Sequence, residues 1–150
     1  MNITGQHDRS MTKEKLKEFY EAFSTKGYEY AALNYFTDDI VYENPSGLEI
    51  SGRDNVISYM KGVHHGDGIK ETITPVRVLI EGEDAAVELV IQLDALEDAL
   101  DHHIVSLKKG DRAAHRVSAW YKIRKDRISH LKVYPPAELT PKLPVKTESE

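Results

Sequence analysis

Few side chains in this 150-residue chain could do chemistry. With 0 cysteines there is no thiolate nucleophile, no disulfide and no cysteine-ligated zinc. What remains is a small set of tyrosines, an asparagine, an aspartate and a histidine. Tyr42 and Asn44 stand two apart in Tyr42-Glu43-Asn44-Pro45, so on a strand they share a face. A buried amide must be hydrogen-bonded. Asn44 therefore either lines a pocket or holds the turn Pro45-Ser46-Gly47. His115 shares a strand face with Val117, Ala119, Tyr121 and Ile123. That face is apolar and should look inward. There His115 is either a general acid or base with a near-neutral pKa or a satisfied core or rim histidine. Tyr20 lies on an apolar helix face, as a core tyrosine or as a hydroxyl donor to a pocket. His64-His65 and His102-His103 invite a metal reading. Adjacent strand residues point to opposite faces, and no i, i+4 ligand pair appears, so no metal is expected.

The elements that must position these groups follow from periodicity. Leu16, Phe19, Tyr20 and Phe23 recur at i, i+3, i+4, i+7, one face of a helix. Thr12 is its candidate N-cap and Gly27 its stop. A second helix is expected over residues 30–36, with Asp38 and Asp39 marking a turn. A short strand over 40–44 ends at Pro45. A third helix starts near Gly52 and carries Val56, Ile57, Met60 and Val63 inward. From residue 71 the pattern changes to strands at 71–80, 85–96, 113–124 and 127–134. Turns fall at Gly82-Glu83-Asp84, Gly110-Asp111 and Lys125-Asp126. Residues 97–109 read as a loop, or a short strand around 104–107. Residues 1–10 read as a flexible leader, 11–135 as one domain, and 136–150 as an extended or disordered tail, residues 135–150 holding 4 of the 6 prolines.

Helices first and strands after give an α+β fold. The expected architecture is a cone-shaped, curved antiparallel sheet wrapped around three N-terminal helices. Such a wrap leaves a conical space for a small molecule. Hydrophobic residues are 40% and charged residues 30%, as in a globular domain. A net charge of −5 argues against nucleic acid or anionic membrane as partner. The cysteine count fits a reducing compartment, and residues 1–10 lack a signal peptide's apolar core, so a cytoplasmic location is the expectation. Neither a phosphate-cradling glycine loop nor a dinucleotide fingerprint is present, so no cofactor is expected.

The run Tyr35-Phe36-Thr37-Asp38-Asp39-Ile40-Val41-Tyr42-Glu43-Asn44-Pro45, followed by Gly52-Arg53-Asp54, resembles the nuclear transport factor 2-like superfamily. The last hairpin, with Asp126-Arg127-Ile128 before Tyr134, is similar to that family's final two strands. The fold hosts isomerases, dehydratases, cyclases, hydrolases and non-enzymes. By resemblance to its ketosteroid isomerases, Tyr20 takes the place of an oxyanion-hole tyrosine. The base position is Asn44, which accepts no proton at neutral pH. The second oxyanion position is Ala119 or Ser118, so that isomerisation is rejected as written. Tyr42-Glu43-Asn44 also resembles the water-holding strand of limonene-epoxide hydrolases, with Asp94 on their first catalytic aspartate. Gln92 stands where they have arginine, and Val133 near their later aspartate.

On residues 85–96, Val87, Leu89, Ile91 and Leu93 form one face and Glu88, Val90, Gln92 and Asp94 the other. The aligned enzymes imply that the polar face lines the pocket and the apolar face makes a dimer. The expected catalytic residues are then Asn44, Asp94 and His115. Tyr20, Tyr42, Tyr59 and Tyr121 are expected to bind substrate. The expected function is acid–base chemistry on an apolar, oxygenated molecule: isomerisation, cyclisation, dehydration or water addition. The alternative is a non-catalytic ligand-binding or protein-interaction module. Either is expected to be a homodimer through the sheet.

Overall fold

A computed structural model describes residues 11–64, 68–101 and 106–135. The expected leader at 1–10, the tail at 136–150, and His65, His102 and His103 lie outside them. Helix α1 (Lys13–Lys26) is capped as its sequence dictates. The Lys15 amide donates to Thr12 Oγ1 at 3.1 Å, and the Gly27 amide closes the last turn on Ala22 and Phe23. Gly27 has φ 96°, a conformation that costs glycine nothing. Leu16, Phe19 and Tyr20 are buried along the predicted stripe. Helix α2 (Tyr28–Tyr35) begins directly after Gly27, and its Ala31 and Ala32 are wholly buried.

The turn expected at Asp38-Asp39 is not there. Strand β1 runs through it as Phe36–Glu43. Its pairing with the last strand is irregular between Phe36 and Val41. That irregularity lets two successive aspartates face out, where Asp38 pairs with Arg53 at 2.7 Å and Asp39 with Arg124 at 2.9 Å. A short strand β2 (Glu49–Ser51) folds back on β1, and α3 (Arg53–His64) buries Val56 and Met60. The three residues of β2 are too short a run to read from periodicity. Strands β3 (Ile69–Glu81), β4 (Asp84–Ala95), β5 (Arg112–Arg124) and β6 (Arg127–Tyr134) form an antiparallel meander. In the segment between β4 and β5, Ala99 and Leu107 make an isolated bridge.

The sheet order is β2-β1-β6-β5-β4-β3, with β1 joined parallel to β6. Among the described residues the fold is α+β: three helices against one mixed sheet of six strands. Strand β3 carries a bulge at Val76, between the pairs Pro75↔Leu89 and Arg77↔Glu88. The extra residue switches which alternation faces inward. Val78 is buried after the bulge, whereas Glu71 and Ile73 look inward before it. The sheet is strongly curled. Strands β1 and β3 stand four places apart, about 19 Å in a flat sheet. Yet the charge of Glu71 on β3 bears on Tyr42 of β1. Only curling brings those two faces together.

The face of β4 that lies inside is the apolar one. Val87, Leu89, Ile91 and Leu93 are each 9% exposed or less. This corrects the expectation that the polar face of residues 85–96 lines the pocket. Burial of four aliphatic side chains, each worth about 1.5–3 kcal/mol, decides the matter. Strand β5 behaves as predicted, with His115, Val117, Ala119, Tyr121 and Ile123 inward and Trp120 outward. No helix among the described residues is long and apolar enough to cross a membrane.

Candidate functional site: a cavity within the cone

Between the curled sheet, α1 and α3 lies a cavity of about 540 Å³. Its walls are largely aliphatic and aromatic, with Phe19, Phe23, Leu89, Ile91 and Val117 among them. The exposed residues Pro45, Ser46 and Pro135 mark its mouth. Polar groups reach it at a few points only, which is the usual build of a small-molecule site.

Asn44 follows the end of β1 at the mouth. Its Oδ1 accepts from the Ser46 amide at 3.0 Å, the Ser46 hydroxyl at 2.8 Å and the Leu48 amide at 2.9 Å. Two of those donors are backbone N–H groups, which can only donate, so the atom facing them is the oxygen. The Nδ2 side therefore faces α3, where it donates to the Tyr59 hydroxyl at 2.9 Å. Both expectations for Asn44 are realised together: it holds the turn with one end and lines the cavity with the other. Tyr42 packs on Tyr59 with ring centroids 5.9 Å apart. Burial, then the neighbouring Tyr59 and Glu71, push its phenol pKa well up. Tyr42 thus stays protonated, as a donor, at any physiological pH.

His115 lines the cavity from β5. No described residue hydrogen-bonds its ring, and burial lowers its pKa, so it is neutral at pH 7 and able to take a proton. Tyr121 lies six residues along the same strand face, about 20 Å away between backbones. The deep end is closed by Tyr20 against Tyr121, an edge contact with centroids 6.2 Å apart. Both hydroxyls are covered and neither has a hydrogen-bond partner among the described residues. In this arrangement the pair is wall, and its rings rather than its hydroxyls meet the cavity.

The SnoaL-like domain family matches residues 16–131. The chain belongs to that family. Solved structures agree on the fold of this SnoaL-like chain. A protein from Pseudomonas putida, provisionally named a polyketide cyclase, is 17% identical over 81% of this chain and 89% of its own, with a TM-score of 0.65. An epoxide hydrolase of the limonene-epoxide-hydrolase-like type from M. tuberculosis is 16% identical over 79% and 77%, with a TM-score of 0.59. A nuclear transport factor 2-like protein of unknown function from Burkholderia pseudomallei is 18% identical over 81% and 87%, with a TM-score of 0.62. At these identities the likeness is one of fold. No curated protein matches in sequence.

Of the residues predicted for the site, the SnoaL-like fold brings Asn44, Tyr42, Tyr59, His115, Tyr20 and Tyr121 to one cavity. Asp94 is the exception. It stands on the outer face of β4, where Arg112 Nε and Gln92 Nε2 donate to its two carboxyl oxygens. Its strand neighbours Leu93 and Ala95 claim the interior, so Asp94 cannot serve the cavity. Sequence periodicity misses Glu71, the only carboxylate among the described residues lining the cavity. The signal that points to it is Ile73, two residues on and on the same inward face. Among the described residues, no group of three or more histidines, aspartates or glutamates is placed to hold a metal ion.

Proposed function

We propose that this chain binds an elongated, apolar small molecule carrying acceptor oxygens and moves a proton on it. The observation that carries the reading is the composition of the cavity: aliphatic walls, hydrogen-bond donors at Tyr42 and Tyr59, and one neutral imidazole at His115. The phenols hold an oxygen and His115 takes or returns the proton. They reach the cavity from different strands and a helix, so the held oxygen and the reacting carbon are several bonds apart. An extended or conjugated carbonyl compound, as a polyketide-type cyclase would use, meets that requirement. Epoxide opening is less well served, because the oxygen of Asn44 is already saturated by the turn and cannot orient water. We also propose a homodimer through the outer sheet face, where Leu79, Ala86 and Trp120 stand in one row across β3, β4 and β5. Leu79 is 61% and Trp120 46% exposed there, an apolar stripe suited to a second copy.

One observation favours a non-catalytic second reading: the strand-end position that would hold a base is an amide committed to a turn. A screen of aryl and alkyl ketones by thermal shift, followed by incubation of the hits in D2O, separates the two. Deuterium entering the ligand with wild type but not with His115→Gln supports proton transfer. Binding without deuterium uptake leaves a binding module. No binding by any ketone refutes both.

A further inference from the structure

Resting on that reading of the cavity, we propose that Asn44 is a positioning residue that sets the hydrogen-bond polarity of Tyr59, and so makes the site select carbonyl over hydroxyl ligands. Three atoms carry the effect. The Ser46 and Leu48 amides fix Asn44 Oδ1 toward the turn. The amide nitrogen is thereby forced toward Tyr59, and the phenol oxygen must accept from it. A phenol whose oxygen already accepts has its own hydrogen left to place, and no described residue takes it. Tyr59 therefore offers a donor to whatever fills the cavity. A ketone oxygen meets that donor fully. A carbinol can accept too, but Tyr59 then offers no acceptor for its own hydrogen, and a polar group left unmet there is costly. The backbone of an exposed turn thus dictates, through one rigid amide, which functional group the interior prefers.

Asn44→Asp reverses the device without changing its shape. The introduced carboxylate keeps one oxygen on the turn amides and presents the other, an acceptor, to Tyr59. Tyr59 must then donate outward to that carboxylate and turn its lone pair to the cavity. The probes are two matched pairs: 2-acetylnaphthalene with 1-(2-naphthyl)ethanol, and benzophenone with benzhydrol. Dissociation constants are measured by tyrosine and probe fluorescence on wild type, Asn44→Asp, Tyr59→Phe and the double variant. Wild type is expected to prefer the ketone by about tenfold, the worth of one hydrogen bond. Asn44→Asp is expected to shift that ratio toward the carbinol by about tenfold or more. Tyr59→Phe alone should abolish the preference, and Asn44→Asp should then have no effect on it. A merely structural Asn44 would change stability and leave the ratio alone. If wild type prefers ketones and Asn44→Asp retains the same ratio, the inference fails while the cavity reading stands. If Asn44→Asp does not fold, a preference that survives Tyr59→Phe overturns the inference instead. If wild type binds neither pair, the cavity reading itself fails and takes the inference with it.

Discussion

Two tyrosines that line the same cavity should respond to loss of their hydroxyls with opposite signs. Tyr121 is 0% exposed and its hydroxyl meets no partner among the described residues. Tyr121→Phe therefore breaks no protein hydrogen bond and relieves the burial of an unpaired hydroxyl, which costs about 1–3 kcal/mol in proteins. Against this stands the loss of a few oxygen contacts at about 0.1–0.2 kcal/mol each. The net is a gain of about 1 kcal/mol or more. Tyr59→Phe removes a 2.9 Å hydrogen bond from Asn44 and leaves Nδ2 unpaired, a loss of about 1 kcal/mol. For a domain of this length each kcal/mol moves the midpoint by roughly 2–4 °C. Differential scanning calorimetry should thus place Tyr121→Phe above wild type and Tyr59→Phe below it, several degrees apart. Urea midpoints at 25 °C provide the check at fixed temperature. A Tyr121→Phe protein that melts below wild type would refute the reasoning, since it would mean that the hydroxyl is satisfied in solution.

The remaining predictions concern charge, face and backbone. Burial depresses the His115 pKa below its ordinary 6.5, so the unfolded chain binds that proton more tightly than the folded one. Its contribution to stability is present above about pH 6.5 and is lost as pH falls through the depressed folded value; His115→Gln should flatten the decline in denaturant midpoint measured between pH 7 and pH 5. Asp94→Asn, on the outer face with Arg112, should leave any ketone binding or deuterium exchange within about twofold of wild type, a half-exposed ion pair being worth about 1 kcal/mol or less to stability; a large loss of binding would contradict the assignment of faces. Trp120→Lys should leave the fold intact by circular dichroism and convert a dimer to a monomer in light scattering at micromolar concentration, whereas an unchanged dimer would remove the outer sheet from the interface. Gly27→Ala meets open space, so only the φ of 96° resists it; a loss of about 1 kcal/mol or more is expected.

Much of this fold is legible in the sequence because local chemistry and global fold agree. The stripe from Leu16 to Phe23 with Thr12 and Gly27 at its ends specifies α1 unaided. The alternation His115, Val117, Ala119, Tyr121 specifies the inner face of β5. Two features are not legible, for different reasons. The register of β3 hides behind its bulge: Val76, Val78 and Ile80 alternate in one phase, Glu71 and Ile73 in the other, and nothing in a count of alternating residues says where the phase breaks. Hence Glu71 escapes notice. The orientation of β4 is misjudged when alignment to enzymes with a polar pocket floor outweighs the plainer evidence of four aliphatic side chains. Asp94 follows that error to the wrong side of the sheet. The sequence poses Asn44 as a choice between two roles, whereas an amide has two ends and the structure uses both.

The parallel pairing of β1 with β6 has a consequence for how the protein is made. Phe36 finds its sheet partner in Ile128, 92 positions later. At about 5–20 residues per second, roughly 5–20 s pass on the ribosome before that partner is even synthesised. Throughout that interval β1 lacks its neighbour β6 and has β2 and α3 against it, while α1 gains its cover as β3 is made. The nascent chain must wait for β6, and closure of the cone is a late, long-range event rather than a stepwise one. Truncations that stop short of β6 should therefore accumulate as chaperone-bound or aggregated chains, however well their helices are capped.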